Sequence, residues 1–212
     1  MKRLLTLLIF LLFLLTQTVA QNKTADSLKK LLDTYKNLDT NRIILMYRYA
    51  YNLPLENNDI AINYTRQGIV LARSLKWNVG ALNGLLELSD LYGLDNKLDS
   101  AISNSLEGLN ISEHLQLEYY ILSFHSELAD SYRLIENYSQ AEFHAHKYLE
   151  IAEATKDDNL IFFGLTLSAT LYGQEEKWDK ENEFLERALR MPPAQKNEWR
   201  SRDPLLLTLK GD

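Results

Sequence analysis

Glu127-Leu-Ala-Asp-Ser-Tyr132, a short gap, then Tyr138-Ser-Gln-Ala141 running on to Leu149 is the stretch that decides the fold. A small residue (Ala129) stands three before an aromatic (Tyr132). A turn follows, and a second aromatic (Tyr138) leads into Ala141 and Leu149 at helical spacing. Shifted by forty residues in either direction, the pattern returns. Tyr92, Tyr132 and Tyr172 align, as do Ala61, Ala101 and Ala141, then Ile69, Leu109, Leu149 and Leu189, then Leu71, Ile111, Ile151 and Met191. Self-similarity at a period of roughly 20–50 residues marks stacked repeats, each burying against its neighbour an apolar stripe it cannot bury alone. The expected fold is all-α: about four helix–turn–helix repeats of period 40 plus a capping helix.

Working outward, Leu28, Leu31, Leu32 and Tyr35 recur at i, i+3, i+4 and i+7, which predicts an amphipathic helix over 26–38 after a loose leader at 21–25. Pairs of helices are expected over 41–53 and 59–75, 79–92 and 98–114, 117–134 and 138–154, and 157–172 and 177–190. Pro54, Gly93 and Gly173 are read as breaks, Asp95 or Asn96 as an N-cap, and Asn137 with Gln140 as a capping box. No stretch alternates apolar and polar, so no sheet is expected. The resulting organisation is 21–40 as leader and N-terminal capping helix, and 41–193 as the array (approximately 41–77, 78–116, 117–156 and 157–193). Residues 194–212 form a C-terminal cap or tail, whose Trp199 and Leu205–Leu209 fold back on the last helix or dock on a partner.

Met1-Lys2-Arg3, an apolar run from Leu4 to Leu15 broken only by Thr6, and Thr18-Val19-Ala20 have the layout of a secretory signal peptide over 1–20, cut after Ala20. The run is shorter than the roughly 20 residues a membrane span needs, so no span is expected in the mature chain. The protein is expected to be exported, periplasmic or extracellular. Loss of Lys2 and Arg3 takes the formal charge from −6 to −8. That acidic balance, without a basic cluster, argues against nucleic acid as a partner. Cysteine is absent, which excludes disulfides, thiolate metal sites, a catalytic thiol and a lipoprotein anchor.

The columns resemble the tetratricopeptide repeat. The small residue and aromatic of the first helix match at Ser89 and Tyr92, Ala129 and Tyr132, and Ala169 and Tyr172. The second helix matches at Ala61, Ala101, Ala141 with Ala145, and Ala188 with Leu189. Tyr138 and Trp178 match the aromatic at the turn, and Pro192-Pro193 the closing proline. The resemblance covers about 41–193. It departs at Asn52, at Glu181 in place of Ala, in a period longer than usual, and at Gly68 and Gly108, where Ala is common. It implies a right-handed α-solenoid whose first helices line a concave groove for a peptide or protein segment. On that geometry Asn83, Leu86, Asp90, Ser123, Ser126, Asp130, Arg133, Phe163, Thr166, Thr170 and Gln174 face the groove. Some members of the family grip a peptide carboxylate with cations. Acids and hydroxyls stand here instead, so that activity is not carried over.

Chemistry is sparse. His144 and His146, two apart on a helix, do not face one another, and no third ligand joins them or His125 and His114. Asp157-Asp158 and Glu175-Glu176 fall at expected turns, where adjacent acids point apart and favour helix starts. Neither a phosphate loop nor a nucleophile elbow is present. The sequence therefore predicts no enzyme, no cofactor and no metal, and a protein or peptide partner. An alternative is the extracytoplasmic sensor region of a truncated or partnered signalling regulator, which exported arrays with a leading helix also resemble.

Overall fold

A computed structural model describes residues 23–191. Its helices are α1 (23–34), α2 (Thr40–Tyr51), α3 (Asn58–Ser74), α4 (Asn78–Leu94), α5 (Leu98–His114), α6 (Glu118–Leu134), α7 (Tyr138–Thr155), α8 (Asp158–Gln174) and α9 (Trp178–Leu189). A 3-10 turn, Leu55–Asn57, precedes α3, and no strand occurs among the described residues. The fold class is all-α, a run of helix–turn–helix repeats in which consecutive helices pack on one another. The expected signal segment, Pro192-Pro193, Trp199 and Leu205–Leu209 lie outside the described residues. No described helix is long and apolar enough to cross a membrane.

The turns are more regular than the sequence suggests. Lys76, Asn96, Gln116, Glu136, Lys156 and Glu176 all have φ between 54° and 59°, one every twenty residues. In five of these turns the next N–H reaches back five residues: Trp77 to the Ala72 carbonyl, Lys97 to Tyr92, Leu117 to Ser112, Asn137 to Tyr132 and Lys177 to Tyr172, each 2.9 Å. That left-handed closure satisfies carbonyls a helix end leaves open. It corrects two expectations. Gly93 and Gly173 lie inside α4 and α8 and break neither, and Asn96 takes the left-handed position while Lys97 stands at the N-cap of α5 with no side-chain capping bond. Asn137 does cap α7, accepting from the Gln140 N–H at 3.4 Å, and Asp157 caps α8.

The repeated columns are the core. Ala61, Ala101 and Ala141 are at most 2% exposed, and Phe124 and Leu128 are fully buried. The mid-helix glycines make room for rings. A Cβ on Gly68 would lie 2.3 Å from Tyr47 Cε1, and one on Gly108 2.0 Å from Phe124 Cζ. In the next repeat the polarity inverts: Tyr148 fills the column and meets Gly164. Glu181, the misfit in the alanine column, lays its carboxylate against Gly173, where a side chain would collide.

The chain divides into two compact units, Met1–Glu87 and Leu88–Asp212. In the first, Ala25, Leu28 and Leu32 of α1 pack with Leu45, Met46 and Tyr49 of α2, so residues 23–25, read as leader, are already helix. Arg42 closes α1 by donating to the carbonyls of Leu32 and Tyr35. Tyr49 meets Tyr64 edge-on at 4.8 Å, and Tyr47 donates to the Gly80 carbonyl at 3.0 Å. In the second, Leu122, Ala129, Ala141, Ala145, Tyr148, Leu167 and Leu171 make one core, and Leu149, Leu165 and Ala188 continue it to α9.

Candidate functional site

None of the eleven residues expected to line a groove is buried; each is half-buried or exposed. Asn83 and Leu86, half-buried, belong to the first unit. Of the nine in the second unit, the hydroxyls serve their own helices. Ser123 donates to the Tyr119 carbonyl, Thr166 to Phe163 and Thr170 to Thr166, all at 2.9 Å. Phe163 turns toward α7, its ring 5.3 Å from that of Tyr148. Asp90, Asp130, Arg133 and Gln174 join across helices.

They do so through Glu127, which the sequence reading missed. Asp90 of α4 and Glu127 of α6 share a side-chain hydrogen bond. Glu127 lies one turn before Asp130, on the same face of α6. Arg133 grips the Asp130 carboxylate from Nε at 3.1 Å and Nη2 at 3.0 Å, and Nη1 donates to Gln174 Oε1 of α8 at 2.6 Å. Asp90, Glu127, Asp130, Arg133 and Gln174 therefore form one polar row over the first helices of three repeats. Two carboxyls so close cannot both ionise cheaply. Burial, then the neighbouring Asp90 charge, pushes Glu127 up to about 9, and burial also raises Asp90. At neutral pH Glu127 keeps its proton and donates it to the Asp90 carboxylate. With Arg133 balancing Asp130, the row carries one net negative charge on Asp90. The only hint in sequence was the Glu87 and Glu127 column, which reads as solvated charge until the helices are docked.

A second polar pair is internal. His125 of α6 and His144 of α7, both 4% exposed, meet Nδ1 to Nδ1 at 2.9 Å. One ring donates and the other accepts. Tyr132 stacks on His144, rings 5.6 Å apart and 7° from parallel, and Phe143 approaches it edge-on. Burial lowers both imidazoles to about 4. Among the described residues no three His, Asp or Glu side chains converge as a metal site would require. This pair is a satisfied core contact joining the two helices of a repeat.

A cleft of about 230 Å³ lies between α7 and α9 over α8, floored by Leu149, Leu171 and Phe184. Its rim charges are spent on one another: Lys177 to Glu142 at 2.9 Å, Lys147 to Glu150 at 2.8 Å and Arg187 to Glu153 at 2.6 Å. With those charges paired along its rim, it is a weaker candidate than the row.

No family model matches the chain, and no curated protein matches it. Solved structures do. The chain is similar to the nearly identical TPR-like repeats of a putative kinesin light chain from Podosopora anserina, at 14% identity and TM-score 0.69, over 81% of this chain and 87% of that one. It is similar to BtubC (BKLC) from P. vanneervenii, at 18% identity and TM-score 0.67, over 82% and 71%. It is similar to the apo form of RapI, at 14% identity and TM-score 0.71, over 93% of this chain and 55% of that one. The fold is thus that of tetratricopeptide-like repeat proteins.

Proposed function

We propose that the protein is an exported adaptor that binds a peptide or protein segment along the face of α4, α6 and α8 in its second unit. The observation that carries this reading is the row Asp90–Glu127–Asp130–Arg133–Gln174. Apolar packing explains the buried columns but gives no reason to assemble five polar side chains from three helices. The row presents an anionic Asp90 beside neutral and paired groups, so it favours a segment offering a cation or several N–H donors. Binding works here by positioned hydrogen bonds on a rigid scaffold, without covalent chemistry.

The test is partner capture from envelope extract by residues 21–212, beside the double variant Asp90→Lys with Asp130→Lys. Circular dichroism and melting show whether the variant keeps its fold. A protein held by the parent and lost by the variant supports the reading; equal retention by both sinks it. Export is tested separately by fractionating cells and sequencing the N-terminus, with Gln21 as the expected first residue. Full-length protein beginning at Met1 in the cytoplasm would refute it.

A further inference from the structure

Ser168 lines the cleft between α7 and α9 from its α8 side, in the column where Leu88 and Leu128 stand forty and eighty residues earlier. Those leucines are 4% and 0% exposed. Ser168 is as buried, at 3%, but its hydroxyl turns back on its own helix and donates to the Gly164 carbonyl at 2.9 Å. The side chain that fills this column in the preceding repeats is thus replaced by a short one where a cavity of about 230 Å³ opens over Leu149, Leu171 and Phe184. Packed cores hold few voids larger than a water molecule. An apolar cavity of roughly 150 Å³ already admits one benzene ring.

The walls decide what fits. Lys177, at the N-cap of α9, crosses to Glu142 of α7 at 2.9 Å, and Arg187, in the last turn, crosses to Glu153 at 2.6 Å. The α7 ends of these pairs stand about 16 Å apart, with Ala145 and Leu149 between them. The cleft is therefore a box braced at both ends, too short for an extended chain to run along. Tyr172 and Phe184 make its aromatic side, rings stacked at 5.4 Å and 17° from parallel. Counting Lys147 on Glu150 at 2.8 Å, each of the lining carboxylates meets a cation, so a charged ligand gains no partner here. Hydrogen-bond acceptors are still on offer. Glu150 takes Lys147 on Oε2, and a carboxylate accepts up to about four hydrogen bonds. We propose that the cleft binds a small uncharged aromatic molecule carrying one N–H or O–H donor, its ring on Leu149, Leu171 and Phe184 and its donor on the Glu150 carboxylate. This site is separate from the row on α4, α6 and α8 and does not rest on it.

Titration of the purified protein with indole, followed through leucine methyl resonances by NMR, tests this. Saturable shifts are expected for Leu149 and Leu171 and not for Leu128, with a Kd of about 1 mM or tighter. Ser168→Leu, which restores the residue of the preceding repeats, should fill the cavity and weaken binding at least about tenfold, while Ser168→Ala keeps it. N-methylindole, which has no donor, should bind about fivefold more weakly; equal affinity would overturn the contact with Glu150. Absence of a saturable shift at Leu149 and Leu171 in the parent overturns the proposal whether or not the leucine variant folds. Unchanged binding by a folded Ser168→Leu protein overturns it as well. A capped peptide with a single tryptophan is the second probe. Tighter binding of that peptide than of indole would give the cleft to a partner's side chain and overturn the assignment to a free molecule.

Discussion

At the scale of single residues, packing decides which side chains the columns tolerate. Gly108 faces Phe124, which is fully buried and has nowhere to move. Gly108→Ala therefore overpacks the core, at about 1–3 kcal/mol, offset by about 1 kcal/mol of helix propensity. A net loss is expected in urea unfolding. Gly93 has open space where a Cβ would stand, with nothing within 4 Å, so Gly93→Ala should gain up to about 1 kcal/mol in the same measurement. Equal effects from the two would refute the assignment of Gly108 as clearance for a ring. Thr65 is fully buried, and its Oγ1 has no hydrogen-bonding partner among the described residues, whereas Ser105, forty on, donates to Ser89 Oγ at 2.9 Å. Thr65→Val keeps the shape and removes the orphan. It should stabilise by about 1 kcal/mol, seen as a higher urea midpoint at unchanged slope.

At the scale of elements, the unit of regularity is twenty residues, one helix and its turn, half the period legible in the side chains. Six non-glycine residues hold left-handed φ to close these turns. That conformation costs an L-residue about 1–2 kcal/mol, and glycine would return part of it after its own entropy cost of about 0.5–1 kcal/mol. Glu136→Gly is thus expected to raise stability by a few tenths to about 1 kcal/mol, while Leu134→Gly, two residues earlier within α6, should lower it by about 1 kcal/mol. Thermal melts of the two variants check the contrast. Of the six, only Asn96 has a type that favours this conformation, and the sequence offered it as an N-cap instead. The other five carry no local signal, because Lys, Gln and Glu have no preference for it. The closure at those sites is dictated by where the next helix must pack.

At the scale of the whole molecule, two polar pairs set opposite responses to pH. His125 and His144 titrate near 4 in the folded chain, below the ordinary 6.5. The unfolded chain binds more protons between those values, so stability falls as pH drops from 6.5 toward 4. Glu127 is raised from 4.5 to about 9, so the folded chain holds a proton that the unfolded chain releases, and stability falls as pH rises across that window. The two trends oppose one another up to about 6.5, and above it only the carboxyl pair acts. Urea midpoints should therefore decline from pH 6.5 to 9, and Glu127→Gln should flatten that decline; an unchanged slope would show that Glu127 does not hold the proton. Asp90, Asp130, Arg133 and Gln174 were named from the groove geometry that the resemblance implies, and their junction through Glu127 was not legible in the sequence. Phe163, in the same register, turned to Tyr148 instead, and Glu127 and the histidine pair went unseen. What the sequence by itself determined was the helices, their count per repeat and the columns of the core, because apolar spacing acts within one helix and repeats between neighbours. Only the tertiary structure decided which polar groups meet, since Asp90 and Glu127, or His125 and His144, become partners only when different helices pack to hydrogen-bonding distance.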